Sequence, residues 1–258
     1  MTAGPLRIVV VYPDLLGTYG DGGNGLVLAR RAEWRGLPVE LIAAASDGAI
    51  PEADIYCLGG GEDGPQVRAA RLLNDDGTLA RRTAAGAVVL AVCAGYQIVG
   101  RSFPGADGEL HEGVGLLGIT TVKGVGPRSV GELVAATAPG VPELPPLTGF
   151  ENHGGVSSLD DGTQPLAHVS VGTGNGDGSA TEGAVTGRVV GTYLHGPVLA
   201  RNPALADLLL GWALGAAESP LSSLDDSAEL ALHQERLAAA SGGGRRMRRR
   251  RHTADVVQ

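Results

Sequence analysis

The first half of the chain alternates short apolar runs with longer stretches whose apolar residues recur at helical spacing. Ile8 to Val11, Val39 to Ala43, Asp54 to Leu58 and Ala87 to Val92 are the short runs. They are too brief for buried helices and rich in Val, Ile and Leu, so they predict buried strands. Leu26 to Trp34 predicts a helix stopped by Gly36 and Pro38, and Gln66 to Ala85 predicts helix broken near Asp75-Asp76-Gly77. Strands with no polar face, separated by helices, imply an α/β fold: a mostly parallel sheet with helices on both faces.

The second half is less regular. Ile119 to Lys123 and Leu133 to Thr137 read as strands, antiparallel in this context. Residues 138 to 182 are rich in Gly, Pro, Asp and Ser and read mostly as loop. Ala184 to Leu194 reads as one strand ending at His195-Gly196-Pro197, and Asn202-Pro203 opens a helix to about Leu214. Asp226 to Ala240 reads as an isolated amphipathic helix. Gly242-Gly243-Gly244 and the arginines after it read as disordered. The expected division is a main domain over 1–217, an appended helical segment over 218–241 and an Arg-rich tail over 242–258.

Composition changes this picture little. At 43% hydrophobic residues the chain is globular in spite of its 42 glycines. Charge is uneven: the last fourteen residues carry +5, the remainder −13. That tail suits weak contact with nucleic acid or with anionic lipid at a membrane surface, without sequence preference. No apolar run approaches the roughly 18 residues of a spanning helix, and the N-terminus lacks the features of a signal peptide. A cytosolic protein with both cysteines reduced is expected.

The chemistry collects at predicted strand ends, where open parallel sheets gather ligands. Cys93 closes the run Ala-Val-Val-Leu-Ala-Val and precedes Ala94-Gly95-Tyr96-Gln97, the pattern of a strand, a sharp turn and a helix. A thiol on such an elbow stands clear of the sheet and is a candidate nucleophile. His195 ends a later strand and is the candidate base, with Gly59-Gly60-Gly61 and the N–H of Ala94 as oxyanion donors. Cys57 lies within a strand and reads as inert core. His153, beside two glycines, either lines the site or satisfies a turn. His111, His168, His233 and His252 read as solvated. No phosphate loop and no metal-ligand spacing occurs, so no metal and no cofactor is expected in this chain.

Leu58-Gly59-Gly60-Gly61-Glu62-Asp63, Val92-Cys93-Ala94-Gly95-Tyr96-Gln97 and Tyr193-Leu194-His195-Gly196-Pro197 occur in the order of a class I glutamine amidotransferase. The resemblance is to the cobyric acid synthase-like (CobB/CobQ) branch and implies its flavodoxin-like fold. Carried over, Cys93 attacks the glutamine amide, His195 is base and then acid, Gly60 and Ala94 form the oxyanion hole, and Gln97 helps bind glutamine. Pro13 to Asn24, Gly149 to Gly155 and Leu194 to Pro203 resemble, more closely, the GatD family of lipid II isoglutaminyl synthase glutaminase subunits. That resemblance makes Arg128 a glutamine contact and implies a MurT-like, ATP-dependent ligase partner, with ATP and Mg on that partner. It implies peptidoglycan synthesis, with lipid II reached through the partner at the inner face of the membrane. Another acceptor, such as a cobalamin precursor, and a non-catalytic nucleic-acid-binding role are the alternatives. Many class I members carry a glutamate two residues after the histidine, but Pro197 stands there. Glu151 is one candidate to orient His195, and a carboxylate from a partner subunit is another.

Overall fold

The computed structural model describes residues 4–215 and 221–254. In chain order its elements are β1 (Leu6–Val11), α1 (Gly23–Glu33), β2 (Val39–Ala44), β3 (Ile55–Leu58), α2 (Asp63–Asp76), α3 (Thr78–Ala84) and β4 (Val88–Val92). There follow α4 (Ala94–Ile98), β5 (Ser102–Pro104), β6 (Leu110–Glu112), β7 (Ile119–Lys123), β8 (Ser129–Thr137), β9 (Leu147–His153) and β10 (Gly155–Leu159). The remainder is β11 (Ala167–Val171), β12 (Thr181–Glu182), β13 (Ala184–Thr186), β14 (Val189–Thr192), α5 (Val198–Arg201), α6 (Pro203–Ala213) and α7 (Ser227–Ala254).

The central sheet runs β13-β14-β4-β3-β1-β2, parallel throughout except for the edge pair β13–β14. Its strands are apolar on both faces because both faces are covered. Val89 and Ala91 of β4 pack in one core with Ala69 and Leu73 of α2, whereas Val88, Leu90 and Val92 pack in the other with Leu28 of α1 and Leu209 of α6. The direction of travel along the sheet reverses between β1 and β3, the kind of place where the carboxyl ends of strands open a crevice.

Residues 138–182, expected to be loop, hold four strands. β8 pairs antiparallel with β9 and with β11, β10 pairs with β7, and β12 pairs with β11. Two four-stranded sheets result, β10-β7-β5-β6 and β12-β11-β8-β9. Each strand is short and broken by turn residues, so its pairing partner rather than its composition decides its state. Ala184 to Leu194 is a hairpin, not one strand: Gly187 sits at φ +57° and turns β13 back on β14.

The C-terminal helix is longer and better anchored than expected. The buried Arg31 guanidinium bridges Asp207 of α6 and Asp226 just before α7, and its proton is held above the ordinary arginine range. Burial alone would lower it; the two carboxylates outweigh that. His233, expected to be solvated, is buried, with Nδ1 bonded to the Arg201 carbonyl at 2.9 Å. His168 is exposed and His111 half-buried. The backbone of α7 stays helical across Gly242-Gly243-Gly244 to Ala254, where disorder was expected. The surrounding Ala and Arg are strong helix formers, although each glycine costs about 1 kcal/mol. The His252 side chain lies outside the described side chains, as does the expected boundary at 217.

Candidate functional site

Four strands of the central sheet deliver the site. Cys93 follows β4 at φ +52° and ψ −105°, a backbone that side chains rarely adopt. The turn is held by Cys93 N–H donating to the Thr192 carbonyl at 2.9 Å, and by Gln97 N–H donating to the Cys93 carbonyl at 3.0 Å. It also requires Gly95. A Cβ there would lie 2.7 Å from Leu58 Cβ and 3.0 Å from the Leu58 carbonyl oxygen. The thiol of Cys93 is thereby lifted off the sheet into a cavity of about 220 Å³. That is below the roughly 300–1,000 Å³ of pockets for drug-sized ligands.

His195 enters the same cavity from the segment after β14. Its register is set by β9: His195 N–H donates to the Phe150 carbonyl at 2.9 Å, and Phe150 N–H donates back at 3.2 Å. Gly149 makes room for Leu194, whose Cβ lies 2.7 Å from where a side chain would start. The region expected to be loop therefore places the histidine.

The group that orients His195 is Asp21, in the loop between β1 and α1. Asp21 Oδ2 accepts from His195 Nδ1 at 2.8 Å and from Gly60 N–H at 3.0 Å. Both side chains are almost wholly buried. The end of the loop is fastened to the histidine segment through the first residues of α1, with Asn24 Oδ1 accepting from Leu199 N–H at 3.0 Å and Gly23 packed against the Pro197 ring. Burial works against charging the imidazole, but the hydrogen bond to Asp21 and the neighbouring Cys93 outweigh it, and His195 is pushed up to about 10. His195 Nε2 is buried without a hydrogen-bond partner.

Glu151, a sequence candidate for this role, does not face His195. Its two oxygens accept from Thr173 N–H at 2.8 Å and Gly174 N–H at 3.0 Å, and its ion-pair neighbour is His153, 3.6 Å away. It shapes a turn instead. Gly60 also differs from expectation: its N–H is engaged by Asp21, and the residue lining the cavity is Gly61. A Cβ at Gly60 would lie 2.8 Å from His195 Cε1, which explains the glycine there. Asp21 is the one carboxylate in the glycine loop 17–25 after a buried strand, and that isolation was the available signal.

Ala94, Gln97, Arg128 and His153 all line the cavity. Ala94 opens α4, so its N–H has no carbonyl of its own helix to reach. Gln97 Oε1 accepts from Gln66 Nε2 at 2.8 Å, and Gln97 Nε2 donates to the Tyr193 hydroxyl at 3.1 Å. His153 stacks on Tyr193 with ring centroids 3.7 Å apart and its Nδ1 meets the Gly155 carbonyl at 2.9 Å, so it lines the site and satisfies a turn together. Arg128 and Lys123 are the exposed cations that line the cavity. Cys57 is away from the cavity, buried, and its thiol is pushed up to about 12 by burial. Among the described residues, no cluster of three His, Cys, Asp or Glu could hold a metal ion, and no helix is long and apolar enough to cross a membrane.

A strained cysteine, a buried histidine and an aspartate bonded to that histidine come together at strand ends of one sheet. Residues 7–203 match the CobB/CobQ-like glutamine amidotransferase domain. The chain belongs to that family. The amidotransferase is 34% identical over 234 residues to the lipid II isoglutaminyl synthase (glutamine-hydrolyzing) subunit GatD of Staphylococcus aureus, covering 89% of this chain and 93% of that one. It is 35% identical to the same subunit of Streptococcus pneumoniae, over 81% of this chain and 80% of the relative. Cobyric acid synthase of Xanthobacter autotrophicus is 36% identical over 67% of this chain, but only 33% of that protein is covered. Among solved structures, PurLQS from Thermotoga maritima superposes with a TM-score of 0.59 at 16% identity, covering 83% of this chain and 100% of that one. That last likeness concerns the fold of the amidotransferase alone.

Proposed function

We propose that this chain is the glutaminase subunit of a lipid II isoglutaminyl synthase. It hydrolyses L-glutamine through a glutamyl thioester on Cys93 and passes ammonia to a MurT-like, ATP-dependent ligase. That partner, using ATP and Mg, would amidate the D-glutamate α-carboxyl of the lipid II stem peptide in peptidoglycan synthesis. Such an acceptor would draw the enzyme to the inner face of the membrane, where the arginines of 245–251 would meet anionic headgroups.

The observation that carries the chemistry is that His195, bonded to the buried Asp21, lines the same cavity as Cys93. The Cys93 thiolate adds to the amide carbon, and Ala94 and Gly61 N–H groups receive the charge on oxygen. The imidazolium of His195 gives its proton to the amide nitrogen, the C–N bond breaks, and ammonia leaves. Neutral His195 then takes a proton from water as the hydroxide oxygen attacks the thioester. Glutamate is released, and thiolate and imidazolium are restored. Arg128 would fork onto the substrate carboxylate.

The acceptor rests on the two GatD relatives, which match over 80% or more of either chain, whereas the cobyric acid synthase matches over a third of its length. The test is glutamate release from glutamine by wild type and Cys93→Ala, with mass detection of a glutamyl adduct on Cys93. Copurification of a Mur-ligase-like ATPase that amidates lipid II supports the acceptor. Hydrolysis that survives in Cys93→Ala ends the catalytic reading. Amidation of a corrinoid precursor, with lipid II untouched, ends the acceptor reading.

A further inference from the structure

The loop that carries Asp21 holds a second residue that this chemistry leaves idle. Tyr19 stands at the cavity mouth, 50% exposed, with φ +58°. An aromatic residue rarely adopts that backbone, and it persists where neighbours over-determine it. Thr18 N–H donates to the Gly60 carbonyl at 3.1 Å. The Tyr19 ring meets the His195 imidazole edge-on, with centroids 4.9 Å apart and planes at 62°. Asn152 Nδ2 donates to the Tyr19 hydroxyl oxygen.

Asn152 continues the connection to Arg128. Its Oδ1 accepts from Arg128 Nε at 3.1 Å, and its main-chain carbonyl accepts from Nη2 at 3.0 Å. Arginine only donates, so the amide oxygen must face it, and the amide nitrogen is thereby turned to Tyr19. The connection has a direction: the guanidinium sets the amide, the amide sets the phenol, and the phenol meets the His195 ring edge-on. Asp21, two residues beyond Tyr19, grips the same imidazole at Nδ1.

We propose that Tyr19 is a positioning residue that links the arginine at the cavity mouth to His195, so that an α-carboxylate on Arg128 readies the histidine for proton transfer. This rests on the glutaminase reading above. A carboxylate drawn to the guanidinium resets its hold on Asn152 and, through it, on Tyr19. A ligand without a carboxylate reaches Cys93 and leaves the strap unset.

The test is glutamine hydrolysis by the full chain carrying Tyr19→Phe, Asn152→Ala or both, with thermal melts to confirm folding. Each single change should lower kcat about two- to tenfold, the range for one lost hydrogen bond; KM should stay nearly unchanged in Tyr19→Phe and rise in Asn152→Ala, which also frees Arg128. The double variant should lose no more than the worse single one, because both cut one connection. A second readout is independent of turnover: the rate at which a glutamine-analogue chloroketone labels Cys93, relative to iodoacetamide. Both variants should shrink that ratio, with the iodoacetamide rate unchanged. Losses that multiply independently, a wild-type kcat in Tyr19→Phe, or an unchanged labelling ratio overturns the proposal. Hydrolysis that persists in Cys93→Ser instead overturns the underlying catalytic reading, and the coupling with it.

Discussion

Replacing Asp21 by Asn tests the orienting carboxylate with almost no change of shape. His195 Nδ1 and Gly60 N–H both bond to Oδ2, while Oδ1 has no partner, so an amide can keep its oxygen on both donors. What it removes is the charge. Burial pulls His195 down, and Asp21 with Cys93 pushes it from 6.5 to about 10. At 1.36 kcal/mol per pKa unit, the protonated ring is stabilised by about 5 kcal/mol. Loss of one adjacent opposite charge moves a pKa by about 1–3. Glutamine turnover should therefore hold its proton donor to near pH 10 in wild type, and the alkaline limb of kcat/KM should fall by that much in Asp21→Asn. At neutral pH a drop of about 10²–10⁴-fold is expected, the usual contribution of a placed acid–base group. The linked stability has the same sign. The raised histidine stabilises the fold fully below pH 6.5, and that contribution is lost as pH rises through about 10. Unchanged turnover together with an unmoved alkaline limb would falsify the assignment of Asp21.

Other sites give separate outcomes. Glu182 is fully buried and, through burial first, raised from 4.5 to about 7, while its Oε1 accepts from Tyr193 N–H at 2.8 Å. A carboxylate raised in this way lowers wild-type stability as pH climbs from 4.5 through 7. Glu182→Gln should thus gain on wild type across that range, by up to about 3 kcal/mol in denaturant melts at pH 5 and pH 8; a pH-independent gap would count against a buried charge. Gly95→Ala must push against Leu58 and disturb the Cys93 turn, so Cys93 labelling by chloroketone should slow by at least about tenfold, and labelling at the wild-type rate would show the elbow can yield. Glu151→Gln should leave the alkaline limb in place and lower the melting temperature, because its contacts are the Thr173 and Gly174 amides; a shifted limb would restore it as an orienter.

Local pattern carried much of this protein. A run such as Ile8 to Val11 or Ala87 to Val92 has one stable solution, a strand covered on both faces, and each leads to a turn where backbone groups are free. The placement of Cys93 and His195 in one cavity was legible for that reason, since buried strands deliver the residues after them to the same edge of the sheet. The strands between 138 and 182 were not, because their sequences carry turn residues and weak alternation, and only pairing with β7, with β8 and with one another makes them strands. Glu151 was one candidate to orient His195 because Pro197 stands where many relatives carry a glutamate. In space its carboxylate is captured by two amides, while Asp21, 174 residues from the histidine, reaches it across the sheet. Strand order, not sequence distance, decides which carboxylate meets which imidazole. Six apolar residues and a bend announce a cysteine raised off a sheet, but the hydrogen-bond network behind that thiol depends on which loops the parallel sheet brings side by side.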